Sequence, residues 1–116
     1  MTTAADSVRT FIAPHLTGWR IQFGRWVDGN TADRYAVLRP MGGLPAALVR
    51  RPTFTLILIG ALNEPATVPS MAAEAIIEAM RADSGALVSM EAGEPVFSNA
   101  TDGRPIFEMS ITTITN

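Results

Sequence analysis

The sequence contains no cysteine and a single histidine. Disulfides and thiolate metal sites are excluded, and one histidine cannot build an ordinary His/Cys metal centre. There is no basic excess either. Nine Lys and Arg against eleven Asp and Glu give a formal net charge of −2, without the electrostatic footprint of a nucleic-acid binder. No apolar run approaches the roughly 20 residues that cross a bilayer. The start, Met1-Thr2-Thr3-Ala4-Ala5-Asp6, lacks the basic and apolar segments of a signal peptide. A soluble protein made in a cytoplasm is expected. No internal repeat, heptad or low-complexity tract is present.

What is present is apolar substance. The chain has 116 residues, of which 47% are hydrophobic, enough for a modest core in a single domain, residues 1–116. The longest uncharged β-prone run is Pro52 to Ala61, preceded by Arg50 and Arg51. In a strand, Phe54, Leu56 and Leu58 share one face, and Thr53, Thr55, Ile57 and Ile59 the other. One face fully apolar and one partly so predicts an inner strand, helices on one side and partial cover on the other. Regular pairing is expected to begin just after Pro52, which has no N–H to donate.

Around this strand the remaining elements fall in order. Thr3 to Asp6 opens a helix with Ala5, Val8, Phe11 and Ile12 on its buried face, stopped by Pro14 and Gly18. Trp19 to Trp26 alternates and then slips at Gly24, which predicts a strand with a bulge there. Asp28-Gly29-Asn30 signals a turn. Arg34 to Arg39 is a short strand ended by Pro40, and Met41 to Pro45 a loop. Pro69 to Ala82 is a second helix, with Thr67 and Ser70 both candidate caps, ended by Asp83-Ser84-Gly85. Its predicted buried face is Ala72, Ala75, Ile76, Ala79 and Met80. Ala86 to Glu91 is a strand. Gly93 to Gly103 is mostly loop, with room for a short strand at Val96-Phe97-Ser98. Arg104 to Thr115 is the last strand, with Phe107, Met109, Ile111 and Thr113 inward. The order α-β-β-β-α-β-β predicts an α+β fold, a mostly antiparallel sheet of four to five strands with two helices on one face.

Groups able to do chemistry are sparse. His15 sits between Pro14 and Leu16 with no carboxylate or nucleophile signalled nearby. Tyr35 and scattered carboxylates complete the inventory. Asp28, Asp33 and Asp102 carry no metal-ligand pattern, and Gly42, Gly43 and Gly60 match no phosphate-binding loop. No enzymatic activity, cofactor or metal is expected. Arg50, Arg51 and Arg104 lie at strand mouths. They read either as solvated strand ends or as ionic contacts to another subunit, against carboxylates such as Glu64, Glu91 or Glu94. Trp26 breaks the strand alternation and reads equally as core or as interface.

Several phrases, taken together, resemble a known family. They are Arg34-Tyr-Ala-Val-Leu-Arg-Pro40, the Gly42-Gly43 loop, Arg51-Pro-Thr-Phe-Thr-Leu-Ile-Leu-Ile-Gly60, Ala72-Ala-Glu-Ala-Ile-Ile-Glu-Ala-Met80 and Asp102-Gly-Arg-Pro-Ile-Phe-Glu-Met-Ser-Ile111. In this order they are similar to the tail terminator proteins of long-tailed bacteriophages and prophages, also termed minor tail or tail completion proteins. The resemblance implies a structural virion protein that caps the tail tube as a hexameric ring and helps join tail to head. Its partners would be other copies of itself, the major tail tube protein and a head completion or connector protein, with neither specific nucleic-acid binding nor a membrane. It would be a monomer when free. Its place would be the virion tail, and the host cytoplasm during assembly. The alternative is a small, non-catalytic ligand-binding or dimeric α+β domain, because two helices on an antiparallel sheet serve many functions.

Overall fold

The computed structural model describes residues 4–44, 51–82 and 89–114. Its elements are α1 (Ala4–Ile12) with a 3-10 turn (Ala13–His15), β1 (Trp19–Phe23), β2 (Arg34–Leu44), β3 (Arg51–Ile59), α2 (Thr67–Ala82), β4 (Ser89–Ala92), β5 (Val96–Asn99) and β6 (Pro105–Ile114). The expected α+β architecture is present, with one strand more than the four to five expected. The described strands form one sheet in the order β1-β2-β3-β6-β4, and β5 also pairs with β6. The β4 and β5 strands share one side of β6, β4 along residues 111–114 and β5 along residues 105–108.

The inner strand is β3, flanked by β2 and β6. Phe54, Leu56 and Leu58 are all buried on the helix side, beside Val8 and Ile12 of α1 and Ile76 and Met80 of α2. β6 shows the expected alternation, with Met109, Ile111 and Thr113 buried and Glu108, Ser110 and Thr112 exposed. The Thr113 hydroxyl donates to the carbonyl of Pro52 at 2.8 Å, so an inward polar group is satisfied.

Several details differ from expectation, among them the start of β3, which pairs with β2 from Arg51 rather than after Pro52. Four more concern other elements. The buried face of α2 is Pro69, Ala73, Ile76, Ile77 and Met80, with Ala75 exposed. The spacing is as expected but shifted by one residue. That turn brings Ile77 rather than Ala75 against the sheet and buries more apolar area.

The second difference is β2, which runs through Pro40 to Leu44 instead of stopping. The Leu38 carbonyl accepts the Gly24 N–H at 2.9 Å, so it points toward β1. By alternation the Pro40 nitrogen points the same way, beyond Phe23, where β1 has ended. No ladder bond is lost there. A bulge between Pro40 and Gly43 restores pairing of Gly43 with Pro52 and of Leu44 with Arg51. The expected loop at Met41-Gly42-Gly43-Leu44 is thus strand, and Pro45 lies outside the described residues.

Third, Gly24 does not carry a bulge. With φ +93° it ends β1 and turns the chain in a conformation that favours glycine. Fourth, β1 is parallel to β2. Residues 24–33 therefore form a crossover. Asn30 does turn, its side chain accepting the Ala32 N–H at 2.9 Å and its carbonyl the Asp33 N–H at 3.0 Å. Thr3, residues 83–88 and Thr115, which bear on the expected cap, helix end and strand ends, lie outside the described residues.

Candidate functional site

The crossover 24–33 lies on the sheet face away from the helices. Trp26 packs there against a small cluster of Tyr35, Val37 and Ile59, with its ring 6.1 Å from that of Tyr35. The Tyr35 hydroxyl accepts the N–H groups of Gly29 and Asn30 at 2.9 and 2.8 Å. The phenol considered for chemistry is thus engaged in shaping the crossover.

One arginine closes this arrangement. Arg104, only 3% exposed, gives both terminal nitrogens to Asp28, at 3.0 and 2.8 Å. Its Nε lies 2.9 Å from an oxygen of Asp102, and its guanidinium sits 4.7 Å above the Trp26 ring. Hydrogen bonds from Arg104 hold the carboxyls of Asp28 and Asp102 below the usual aspartate range. Asp28 foremost, then Asp102, raises Arg104 against the effect of burial, so it stays charged.

A second fork lies nearby. Arg34 donates through Nε and Nη2 to Glu64, at 3.0 and 2.8 Å, and its guanidinium lies 6.0 Å from the Trp19 ring. Glu64 also accepts the Ala61 N–H at 3.1 Å. Arg34 holds its carboxyl below the ordinary glutamate value, outweighing burial.

Arg104, Trp26 and Glu64 make these contacts inside the subunit; the sequence had offered Glu64 as a contact to a neighbour, Arg104 as that or a solvated strand end, and Trp26 equally as core or interface. The sequence gives little warning, because Asp28 and Arg104 are 76 residues apart and Arg34 and Glu64 are 30 apart. Glu91, on β4, and Glu94, in the loop after it, are exposed. Arg50 lies outside the described residues, and Arg51 begins β3 opposite Leu44. His15 is exposed and touches Phe11, ring to ring at 6.1 Å. Beside it, Asp6, Arg9 and Thr10 of α1 and Ala13 and Pro14 of the 3-10 turn line an open depression of about 610 Å³, without the enclosure of a small-molecule pocket. Among the described residues no group of three or more His, Asp or Glu is placed to hold a metal.

Both sheet edges carry exposed apolar side chains, as do the crossover at Val27, β2 at Met41, the turn after β3 at Leu62 and α2 at Met71. Phe23 ends β1, 55% exposed, and Val96 and Phe97 open β5, 64% and 49% exposed. The phage tail termination protein family matches the chain over residues 1–116.

The chain belongs to the phage tail termination protein family. The match covers every segment quoted above as resembling it. No curated protein matches the chain. As a member of this family it is a structural protein of the virion tail, associating with other tail components. No helix among the described residues is long and apolar enough to cross a membrane. In a tail termination protein the two arginine forks have a structural use. Both fasten connections at the end of the sheet where β1 and β5 lie.

Proposed function

We propose that this protein caps the completed tail tube as a hexameric ring and helps join the tail to the head. The family match over the whole chain carries the reading. A ring needs two different complementary surfaces on each subunit, and the β1 and β5 edges are unlike one another. Its partners are other copies of itself, the major tail tube protein and a head completion or connector protein. The protein works without catalysis or cofactor. Arg50, Arg51, Glu91 and Glu94 contact neighbouring subunits or the tube, while Arg104, Trp26 and Glu64 hold the crossover and the turn after β3 in shape behind that surface. A net charge of −2 fits a ring without specific affinity for nucleic acid.

Exposed ion pairs contribute only about 0–1 kcal/mol each. The free protein is therefore a monomer, and ring formation relies on the tube holding several copies side by side. Sedimentation at micromolar concentration is expected to show monomer. In electron micrographs, tails assembled without the protein are expected to be abnormal in length and unattached to heads. Normal attached tails would overturn the proposal. Arg51→Glu is expected to fold normally, by circular dichroism, and to lower the yield of joined particles.

A further inference from the structure

One row of paired residues crosses the whole sheet. Ile21 pairs with Ala36, Ala36 with Leu58, Leu58 with Phe107, and Phe107 with Phe97. Ala36 and Leu58 belong to the helix-side core, and paired residues share a face. All five residues therefore lie on the helix side. The row also places β1 and β5 level with each other, on opposite edges of the sheet.

The backbone of each edge can be assigned by alternation. The Gly24 N–H points inward to Leu38, so in β1 the backbone groups of Ile21 and Phe23 point outward. The Ala100 N–H points inward to Arg104, so in β5 those of Phe97 and Asn99 point outward. The strand directions follow as well. β1 is parallel to β2, β2 antiparallel to β3, β3 antiparallel to β6, and β6 antiparallel to β5. β1 and β5 therefore run in opposite directions. If copies repeat about an axis along the strands, β1 of one meets β5 of the next as an antiparallel pair. The outward residues then fall opposite each other, all from the helix side. Such agreement of direction, level and face is not required by the fold of a single subunit.

Charge and exposure complete the match. Phe23 and Phe97 are about half exposed. Beyond Phe23 lies exposed Arg25, and before Phe97 lies exposed Glu94. A two-fold contact of β1 with itself would offer Arg25 no carboxylate, since Trp19–Phe23 contains none.

We infer that β1 of one subunit pairs antiparallel with β5 of the next, with Phe23 opposite Phe97 and Ile21 opposite Asn99, so that the sheet continues from subunit to subunit. The occupant of each edge is a second copy of this chain, joined by strand addition. Arg25, in the turn that leaves β1, and Glu94, before β5 begins, then lie at the same end of the joint with opposite charges. Phe23 lies two residues along the sheet from the row that contains Phe97, and a stagger between strands accompanies closure of a sheet into a ring. Only two residues of β5, Phe97 and Asn99, offer outward backbone groups. The contact is thus smaller than the about 1,200 Å² of a stable interface, which suits a joint made only when the tube holds the subunits. This joint rests on the ring reading above.

The absence of native cysteine makes a clean test available. Facing residues in an antiparallel pair sit about 5.5 Å apart between Cα atoms, within disulfide reach. Purified Phe23→Cys and Phe97→Cys are mixed at high concentration, oxidised, and run on non-reducing gels. A mixed dimer well above the proportion given by random pairing is expected, with little dimer from either variant alone. The double variant F23C/F97C is expected to give a ladder of covalent multimers. Arg25→Glu should reduce the mixed dimer, and Glu94→Arg in the partner should restore it. Both cysteine positions are exposed, and circular dichroism checks that each variant is folded. Random pairing, or dimers mainly of Phe23→Cys with itself, would overturn the joint. Tail length and head joining in particles lacking the protein are scored separately. Cross-links as expected with normal tails would leave the joint and remove the cap. Defective tails with cross-links at random would remove the joint and leave the cap.

Discussion

Leu58→Ala is expected to lower the unfolding free energy by about 2–5 kcal/mol. Leu58 is fully buried, on the inner strand of the sheet. It pairs across the strands with Ala36 and Phe107 and belongs to the core that joins both helices to the sheet. Ala36 is too small to swell into the vacated space, and the backbone of β3 is held by ladders on both sides. The cavity can therefore collapse only in part, which places the cost well above simple transfer of the lost methyl groups. Ser110→Ala, on the exposed face of β6, is the matched control, expected within about 0.5 kcal/mol of the parent. Denaturant titration of the three proteins gives the comparison. A Leu58→Ala loss under about 1 kcal/mol would mean that β3 is peripheral.

The strand was legible because its information is local. Alternation with period two in Phe54-Thr55-Leu56-Ile57-Leu58 assigns each side chain to a face, whatever it packs against. The same holds for Met109 to Thr113. Helix α2 was legible in extent but not in rotation. Its alanines at 72, 73, 75 and 79 supply small apolar residues on more than one side, and the choice falls to where the sheet accommodates Ile77. The parallel course of β1 and β2 was not legible. Asn30 specifies a local bend, and nothing in a bend says whether the chain returns beside its strand or crosses the sheet. Pro40 misled for a related reason. Its missing N–H matters only where a neighbouring strand needs it, and how far β1 reaches is a tertiary fact. The two arginine forks were the least visible. Arg104 and Glu64 were singled out as charged groups with work to do, but pairing across 76 and 30 residues has no signature in spacing.

Arg104→Ala is expected to destabilise the protein by about 2–3 kcal/mol, the scale of lost charged hydrogen bonds and at the low end of what breaking a fully buried pair costs. The arginine is buried, but both its carboxylates retain access to water and can be rehydrated when it is gone. Two further losses add to the lost hydrogen bonds. The guanidinium no longer covers the Trp26 ring, and the crossover 24–33 loses its tie to the start of β6. Arg104→Lys should recover little, because one ammonium cannot present the fork that reaches Asp28 and the Nε that reaches Asp102 together. Acid provides an independent check. The carboxyls of Asp28 and Asp102 are held below their ordinary value by Arg104. The unfolded chain therefore takes up protons first as pH falls. The stabilisation is fully present above the ordinary aspartate range and is lost as pH drops from about 4 through the lowered folded values. Wild-type protein should show this acid limb in denaturation midpoints, with Trp26 emission shifting to the red as its cover is lost. In Arg104→Ala the limb should be shallower, since the carboxyls then titrate more nearly alike in the folded and unfolded chains. Equal stability of variant and wild type at neutral pH, together with an unchanged acid limb, would show that the crossover is held by Tyr35 and the Trp26 packing without the arginine.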